Sequence, residues 1–234
     1  MSGYSPILAV VTGLVETAVA VLALSGPGRK RILAPVGLLL FLLAGYQFAE
    51  VAVCSHPERL FLSRLAFLDI TWLPPVGIGV VYLLIAPKKR LWILGPLIYF
   101  AAAGVISAWI LLDPDCIRKT VCQVVVARYA HARLFEIVFG IFYQSGMMVL
   151  VFGAAAGMAG ADNPIERKHL ADIQSGVLGF MLPALAFRIL SREPDGILPS
   201  VMCHFAIVLA FFLGAVVFRE RRVNWLKKCQ TPAC

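Results

Sequence analysis

The sequence predicts an all-α integral membrane protein, a polytopic bundle of seven transmembrane helices. Hydrophobic residues occupy 60% of the 234 positions and charged residues only 15%, whereas soluble domains carry about 25% charged residues. Windows of about 20 mainly apolar residues recur along the chain, and each can cross a bilayer core of about 30 Å as a helix. We therefore expect one transmembrane domain, residues 1–218, and a basic cytoplasmic tail, residues 219–234.

Clusters of glycine, proline and charged residues separate seven apolar segments. The segments are residues 5–24, 32–53, 65–86, 91–112, 134–158, 170–190 and 198–218. Glu16 lies near the middle of the first segment. Thr12, Gly13 and Ala20 share its side of the helix, so this face can pack closely on a neighbour through small residues. Glu16 is then either hydrogen-bonded to a neighbouring helix or functional.

The third segment is interrupted near its middle by the sequence Trp72-Leu73-Pro74-Pro75-Val76-Gly77. Two consecutive prolines remove backbone donors, so we expect the helix to unwind or kink there. Broken helices often line binding cavities, and a kink that only shapes packing is the alternative. The fourth segment has almost no polar residues, which predicts a peripheral helix that faces lipid.

The longest connection, residues 113–133, is predicted to lie on the membrane interface as a short helix or a hairpin that covers the bundle. It carries Cys116 and Cys122 on the same side as Cys54. In an oxidising compartment any two of these three cysteines could form a disulfide, and the sequence does not select the pair. Tail cysteines Cys229 and Cys234 could be lipidated or simply reduced.

Basic residues predict the orientation of the bundle. Compact basic runs fall at residues 29–31, 88–90, 167–168 and 219–228, all on one side of a seven-helix bundle. The positive-inside rule places that side in the cytoplasm. We therefore expect the N-terminus outside, the C-terminus inside, and location in the bacterial inner (plasma) membrane. The net charge of +8 then reflects topology and lipid headgroups, and no nucleic-acid partner is expected.

Polar residues mark two helix faces as candidate parts of a site. Gln47, Glu50 and Cys54 lie at i, i+3 and i+7 and so form one stripe. A carboxylate inside a membrane helix is costly, and it normally faces protein or a water-filled cavity. A second stripe is predicted to face inward from the fifth segment: Glu136, Gly140, Tyr143 and Gln144.

Five ionisable residues are expected within about 10 Å of one membrane face, at 1.5 Å per helical residue. They are Glu50, Asp69, Glu136, Arg188 and His204. With Gln47, Tyr143 and Gln144 they are the predicted ligand-binding residues, and we expect at least Glu50, Asp69 and His204 to share one internal cluster. The alternative is that interfacial side chains extend to the headgroups, which suits Arg188 and Glu136 best.

Three short motifs carry a resemblance to a known family. They are Tyr46-Gln47-Phe48-Ala49-Glu50, Trp72-Leu73-Pro74-Pro75 and Pro199-Ser200-Val201-Met202-Cys203-His204-Phe205-Ala206. Together they resemble an uncharacterised family of small bacterial seven-helix integral membrane proteins, over most of the chain. The resemblance implies the seven-helix architecture, and it implies no activity.

The sequence favours a non-catalytic module, a transporter or a sensor, that binds a small polar or cationic ligand in the outward-facing cluster. A metal-dependent intramembrane hydrolase using Glu50, Asp69 and His204 is the second hypothesis, although catalytic zinc usually takes several histidine ligands. A structural subunit of a membrane complex is the third. We expect no cofactor, and the bilayer and a small polar ligand are the expected partners. His56, His131 and His169 are expected to be solvated at loops or helix ends.

Overall fold

The structure is a computed structural model that describes residues 6–85, 94–122, 127–191 and 198–229. These residues are helical apart from short turns and one antiparallel two-stranded hairpin. Five helices are long and apolar enough to cross a membrane. The structure therefore confirms a helical protein of the membrane-spanning kind, and it adds a small β element.

The elements follow one another in a simple up-and-down order. They are α1 (Ile7–Ser25), α2 (Lys30–Ser55), α3 (Leu60–Thr71), α4 (Leu73–Ile85), α5 (Leu94–Leu112), β1 (Ile117–Cys122), β2 (Ala127–His131), α6 (Arg133–Gly160), α7 (Pro164–Ser191) and α8 (Leu198–Cys229). The pair α3–α4 is one apolar stretch of 26 residues, so the described residues contain seven helices when that pair is counted once.

The predicted break in the third segment is milder than expected. Trp72 separates α3 from α4, yet its backbone stays in the right-handed helical region at φ −87° and ψ −10°. Pro74 and Pro75 fall in the first turn of α4, where a missing donor costs little. The next amide, that of Val76, already donates to the Trp72 carbonyl at 3.2 Å. The prolines thus interrupt one turn of hydrogen bonds without unwinding the helix.

The small-residue face of α1 packs on α2 as predicted. Thr12, Gly13, Glu16 and Ala20 are all buried. A Cβ atom added to Gly13 would lie 3.2 Å from the Cβ atom of Gln47. The two helices therefore approach closely because one of them lacks a side chain at the contact.

The peripheral position predicted for the fourth segment is also confirmed. Four residues of α5 are buried: Ala103, Ile106, Ser107 and Ile110. Large apolar side chains cover much of the rest of its surface. Such a surface suits contact with lipid acyl chains better than contact with water.

The α5–α6 connection forms the hairpin β1–β2, which packs on the ends of α2 and α3. A disulfide joins Cys122 of β1 to Cys54 of α2. The buried hydroxyls of Ser63 and Thr120 lie 2.8 Å apart. Phe67 of α3 makes edge-to-face contacts with aromatic rings of the hairpin and α6. These contacts place the ends of α2 and β1 and the starts of α3 and α6 at one end of the bundle, called the hairpin end below.

At the opposite end, α7 begins earlier than predicted. The Asn163 side chain accepts a hydrogen bond from the Ile165 amide at 2.9 Å, and Pro164 is the first residue of the helix. The predicted start of the sixth segment at residue 170 is wrong, because residues 166–169, expected to be a charged turn between two segments, form the first turns of α7. The Asn-Pro pair ends one segment and also starts the next helix. Similarly, α8 continues through residues 219–229 of the expected tail.

The core between α2, α4, α6, α7 and α8 is apolar and tightly packed. It contains a cavity of about 20 Å³ lined by residues that include Leu43, Leu73, Tyr143, Met147 and Leu209. Such a volume holds about one water molecule, and a water also needs several polar partners. This cavity is therefore a packing void rather than a ligand pocket.

Candidate functional site

The polar stripe of α2 faces the interior of the bundle. Gln47 and Glu50 are only 2% and 1% exposed, as expected for an amide and a carboxylate that avoid lipid. Cys54 continues the stripe by one turn and holds the hairpin through its disulfide. The stripe therefore extends from the Cys54–Cys122 disulfide at the hairpin end into the interior of the bundle.

Asp69 of α3 approaches the backbone of α2 at Gly45. A Cβ atom on Gly45 would lie 2.8 Å from Oδ1 of Asp69, so the contact depends on a glycine at that position. The Asp69 carboxylate also interacts with the backbone of Tyr46. Its second oxygen, Oδ2, is buried and has no hydrogen-bond partner among the described residues.

Glu16 of α1 is the neighbour of Asp69 and is completely buried. Both of its carboxylate oxygens lack a hydrogen-bond partner within the described ranges. The two carboxylates are close enough to repel each other when both are charged. The sequence singled out Glu16 without assigning it to the site, because periodicity does not reveal which residue of another helix it meets.

The acid pair lies about midway along stretches of membrane-spanning length. Glu16 is the tenth residue of α1 and Asp69 the tenth of α3, and both helices start at the hairpin end. At 1.5 Å per residue both lie about 13.5 Å from those helix starts, which is close to half the thickness of a bilayer core of about 30 Å. Glu50 lies roughly one to two turns closer to the hairpin end.

The remaining predicted ligand residues differ in their burial. Tyr143 is buried and lines the apolar cavity. Glu136, Gln144 and His204 are partly exposed. Arg188 belongs to α7, and its side chain lies outside the described residues.

The stripe predicted to face inward on α6 is wrong in its register. The buried face of α6 includes Phe135, Phe139, Phe142 and Tyr143, and Gly140 has open space beside it. Large aromatic side chains gain more from burial than a glycine and two polar residues do. Only Tyr143 of the predicted stripe therefore belongs to the buried face.

A metal centre is not assembled from the described side chains. They include no group of three or more histidine, cysteine, aspartate or glutamate residues placed to hold a metal ion. In particular, the structure does not bring Glu50, Asp69 and His204 together as a ligand set. The geometry thus gives no support to the metal-dependent hydrolase.

A second polar cluster, missed by the sequence analysis, lies at the end opposite the hairpin. It joins the α1–α2 turn to α7 and α8 and consists of Arg29, Glu166, His169, Asp172, Arg219 and Glu220. We call it the inner network. The expectation that His169 is solvated is wrong, because its side chain is fully buried.

Glu220 is the centre of the inner network and lies beyond the apolar part of α8. Arg29 donates to it at 2.5 Å from Nη2 and 3.0 Å from Nε, and His169 Nε2 lies 2.8 Å from its Oε1. Burial alone would raise the pKa of Glu220, but the hydrogen bonds from His169 and Arg29 outweigh that effect and lower the pKa to about 2. Glu220 is therefore a carboxylate at any ordinary pH.

The inner network extends from Glu220 in two directions. Arg29 also donates to Glu166 at 2.9 Å, and His169 Nδ1 lies 3.3 Å from Nη1 of Arg219, which in turn pairs with Asp172. A guanidinium can only donate, so Nδ1 accepts and Nε2 donates to Glu220. This network ties three helix ends together.

One sequence signal could have revealed the inner network. Glu166, His169 and Asp172 lie at i, i+3 and i+6, which is one helix face. This helical spacing was not recognised because the predicted helix starts at residue 170, after two of the three residues. The pairing with Arg29 could not be deduced, since it depends on the α1–α2 turn reaching α7.

Searches of protein-family models and of curated proteins each find no match to this chain. The resemblance stated above therefore stays a prediction.

Proposed function

We propose that this chain is a multi-pass membrane protein that binds a small cationic ligand in the polar cluster near the hairpin end, as a transporter or a sensor module. The residues that carry the proposal are Gln47 and Glu50, with Asp69 and Glu16 beneath them. The proposal includes seven spans, with α7 and α8 as the last two.

The observation that supports this function best is the placement of acidic oxygens inside the bundle: both carboxylate oxygens of Glu16 and Oδ2 of Asp69 are buried, and Glu50 is 1% exposed. These residues come from α1, α3 and α2, and both α1 and α3 pack on α2. Intramembrane acids normally mark ion or substrate pathways. A cationic ligand suits these acids better than an anionic one, because it would compensate their charge.

Two independent features support an extracytoplasmic hairpin end. The basic residues 29–31, 167–168 and 219–222 lie at the opposite end, which the positive-inside rule assigns to the cytoplasm. The Cys54–Cys122 disulfide is at the hairpin end, and disulfides persist in oxidising compartments. We therefore propose the N-terminus outside, the C-terminus inside and, in a bacterium, the inner membrane. A reporter enzyme that works only in the cytoplasm should therefore be active when fused after Cys234, and one that works only outside the cytoplasm should be inactive there.

The binding proposal is tested by melting temperatures of the detergent-purified protein. The probes are tetramethylammonium, choline and guanidinium chlorides, each compared with N-methylglucamine chloride at equal ionic strength. Binding to the folded state alone raises stability by about 2.7 kcal/mol at one hundred times Kd. We expect at least one probe to raise the melting temperature saturably in the wild type, and Glu50→Gln to abolish that response.

Glu58→Gln is the matched control, because Glu58 is an exposed carboxylate in the α2–α3 turn. It should respond to the probe as the wild type does. The binding proposal fails if no probe raises the wild-type melting temperature. It also fails if Glu58→Gln loses the response as fully as Glu50→Gln.

A further inference from the structure

Glu16 and Asp69 form an acid pair that the ligand proposal does not by itself explain. Three of their four carboxylate oxygens are buried without a hydrogen-bond partner in the described part of the chain. Neither residue belongs to an ion pair there. Glu16 has no exposed surface, and its carboxylate is close enough to Asp69 for their charges to interact, so it is an interior group rather than an interfacial side chain.

Along the middle turns of the helices packed around Glu16, the charged residues are acids. α2 contributes Tyr46 and Glu50 there, with Lys30 and Arg31 at its start, and α3 contributes Asp69, while its Arg64 donates to the Pro114 carbonyl. α8, which also packs on α1, has no titratable residue from position 205 to 218, between His204 and Arg219. Within the span of α1 itself, Glu16 is the one titratable residue.

Such a pair requires a compensating positive charge. Removing an ionised carboxylate from water without a partner is very costly, and two adjacent negative charges raise that cost further. The space beside the pair is narrow, because α2 approaches Asp69 at Gly45 and α1 approaches Gln47 at Gly13. A bulky organic cation does not fit such contacts.

We infer that the Glu16–Asp69 pair binds one small monovalent ion, either a proton or a metal cation of the size of Na⁺. Both sources supply the same chemistry, a single positive charge between two carboxylates. The ion site adjoins Gln47, which packs on α1 beside Gly13, so the ion can be coupled to the ligand at Glu50. That coupling rests on the proposed function, whereas the ion site does not.

The test measures melting temperatures of the purified full-length protein in two series. In the metal series, sodium chloride replaces N-methylglucamine chloride at constant pH and ionic strength. In the proton series, pH rises in N-methylglucamine chloride without sodium. The variants are Glu16→Gln, Asp69→Asn and the exposed control Glu58→Gln.

Each source of charge gives a distinct result. If the ion is Na⁺, sodium raises the wild-type melting temperature saturably, and Glu16→Gln removes the response. If the ion is a proton, sodium has no effect and the wild-type melting temperature falls as pH rises, because deprotonation leaves two charges in the apolar interior. Glu16→Gln, which has the shape of the protonated acid, then abolishes that fall. Glu58→Gln should follow the wild type in both series.

The inference is overturned if the wild type responds in neither series, or if Glu16→Gln responds as the wild type does. Should Glu16→Gln fail to fold, Asp69→Asn provides the same comparison. The organic-cation response is measured on the same samples. If organic cations raise the melting temperature but neither sodium nor pH affects it through Glu16, only the ion site is refuted. If sodium or pH affects it through Glu16 but no organic cation does, only the proposed ligand is refuted.

Discussion

The imidazole of His169 is fully buried between Glu220 and Arg219, with Nε2 2.8 Å from Oε1 of Glu220 and Nδ1 3.3 Å from Nη1 of Arg219. It therefore bridges a carboxylate and a guanidinium of α8 from the start of α7. Because α7 meets α8 and the α1–α2 turn here, the inner network should stabilise the end of the bundle opposite the hairpin.

Replacing His169 tests that role. His169→Phe keeps a ring in the site but removes both hydrogen bonds, and leaving a buried partner unsatisfied costs about 1–3 kcal/mol. We expect SDS-induced unfolding to shift by that amount, and His169→Gln to recover part of it through its amide donor. His56→Phe, in an exposed loop, is the control and should be neutral. Wild-type stability in His169→Phe would show that the network adds nothing.

Cysteine reactivity should distinguish the three cysteines of the hairpin end. Cys122 is bonded to Cys54, so both should react with maleimide only after reduction. Cys116 is a free thiol, but it is buried and donates to the Ile110 carbonyl. It should react only after denaturation, with or without reductant. Labelling of Cys122 in the folded, unreduced protein would contradict the observed pairing.

Removing the disulfide should also weaken the fold. The bond closes a loop of 68 residues, and native disulfides typically contribute about 2–4 kcal/mol. Cys54→Ser with Cys122→Ser should therefore lower the melting temperature, while Cys116→Ser should have a smaller effect. Equal losses in both variants would mean that packing, not the covalent tie, holds the hairpin.

A close contact between α4 and α6 gives a test with a control on the same helix. A Cβ atom on Gly146 would lie 2.6 Å from Cβ of Pro74, whereas one on Gly140 meets nothing within 4 Å. Overpacking a core costs about 1–3 kcal/mol, so Gly146→Ala should lower the free energy of unfolding by that amount. Gly140→Ala should be neutral or slightly stabilising. The reverse order would contradict the packing of α4 on α6.

Acid should destabilise the hairpin end through His131, which lies in β2 outside the spans. Burial is the main cause that lowers its pKa from 6.5 to about 4, although a hydrogen bond with the Cys116 backbone opposes the shift. Between pH 6.5 and 4 the unfolded chain binds a proton that the folded chain does not. Stability is therefore full above about pH 6.5 and falls as pH drops toward 4.

The variant His131→Phe should flatten this acid loss, because a ring remains among Phe67, Tyr129 and Phe135 without a titratable nitrogen. Melting temperatures from pH 7 to about pH 4 provide the measurement, with His56→Phe as the control. An unchanged slope in His131→Phe would assign the acid loss to other groups.

The helices were largely predictable from the sequence because each apolar window of about 20 residues corresponds to one helix, or to the pair α3–α4. Burial of Gln47 and Glu50 was predictable for the same reason, since lipid rejects both side chains. The pairing of Cys54 with Cys122 was not, because it depends on how the hairpin folds back over α2. The buried face of α6 was predicted wrongly because the polar residues were expected to face inward. Burial of the large apolar surfaces of Phe135 and Phe139 decides the orientation instead.

The partners across helices were the part that sequence could not supply. Periodicity gave the face of Glu16 but not its neighbour Asp69, which comes from a helix two elements away. The pairing of Arg29 with Glu220 spans most of the chain and needs the bundle closed first. Composition predicts which residues are buried, whereas helix packing decides which buried residues meet.

The most direct measurement of the central claim is isothermal titration calorimetry with the probe that most raises the wild-type melting temperature. We expect one site per chain, and a Kd at least about tenfold weaker in Glu50→Gln, which corresponds to about 1.4 kcal/mol. Glu58→Gln should bind as the wild type does. Equal affinity of Glu50→Gln and wild type would contradict a cationic ligand held by the buried cluster.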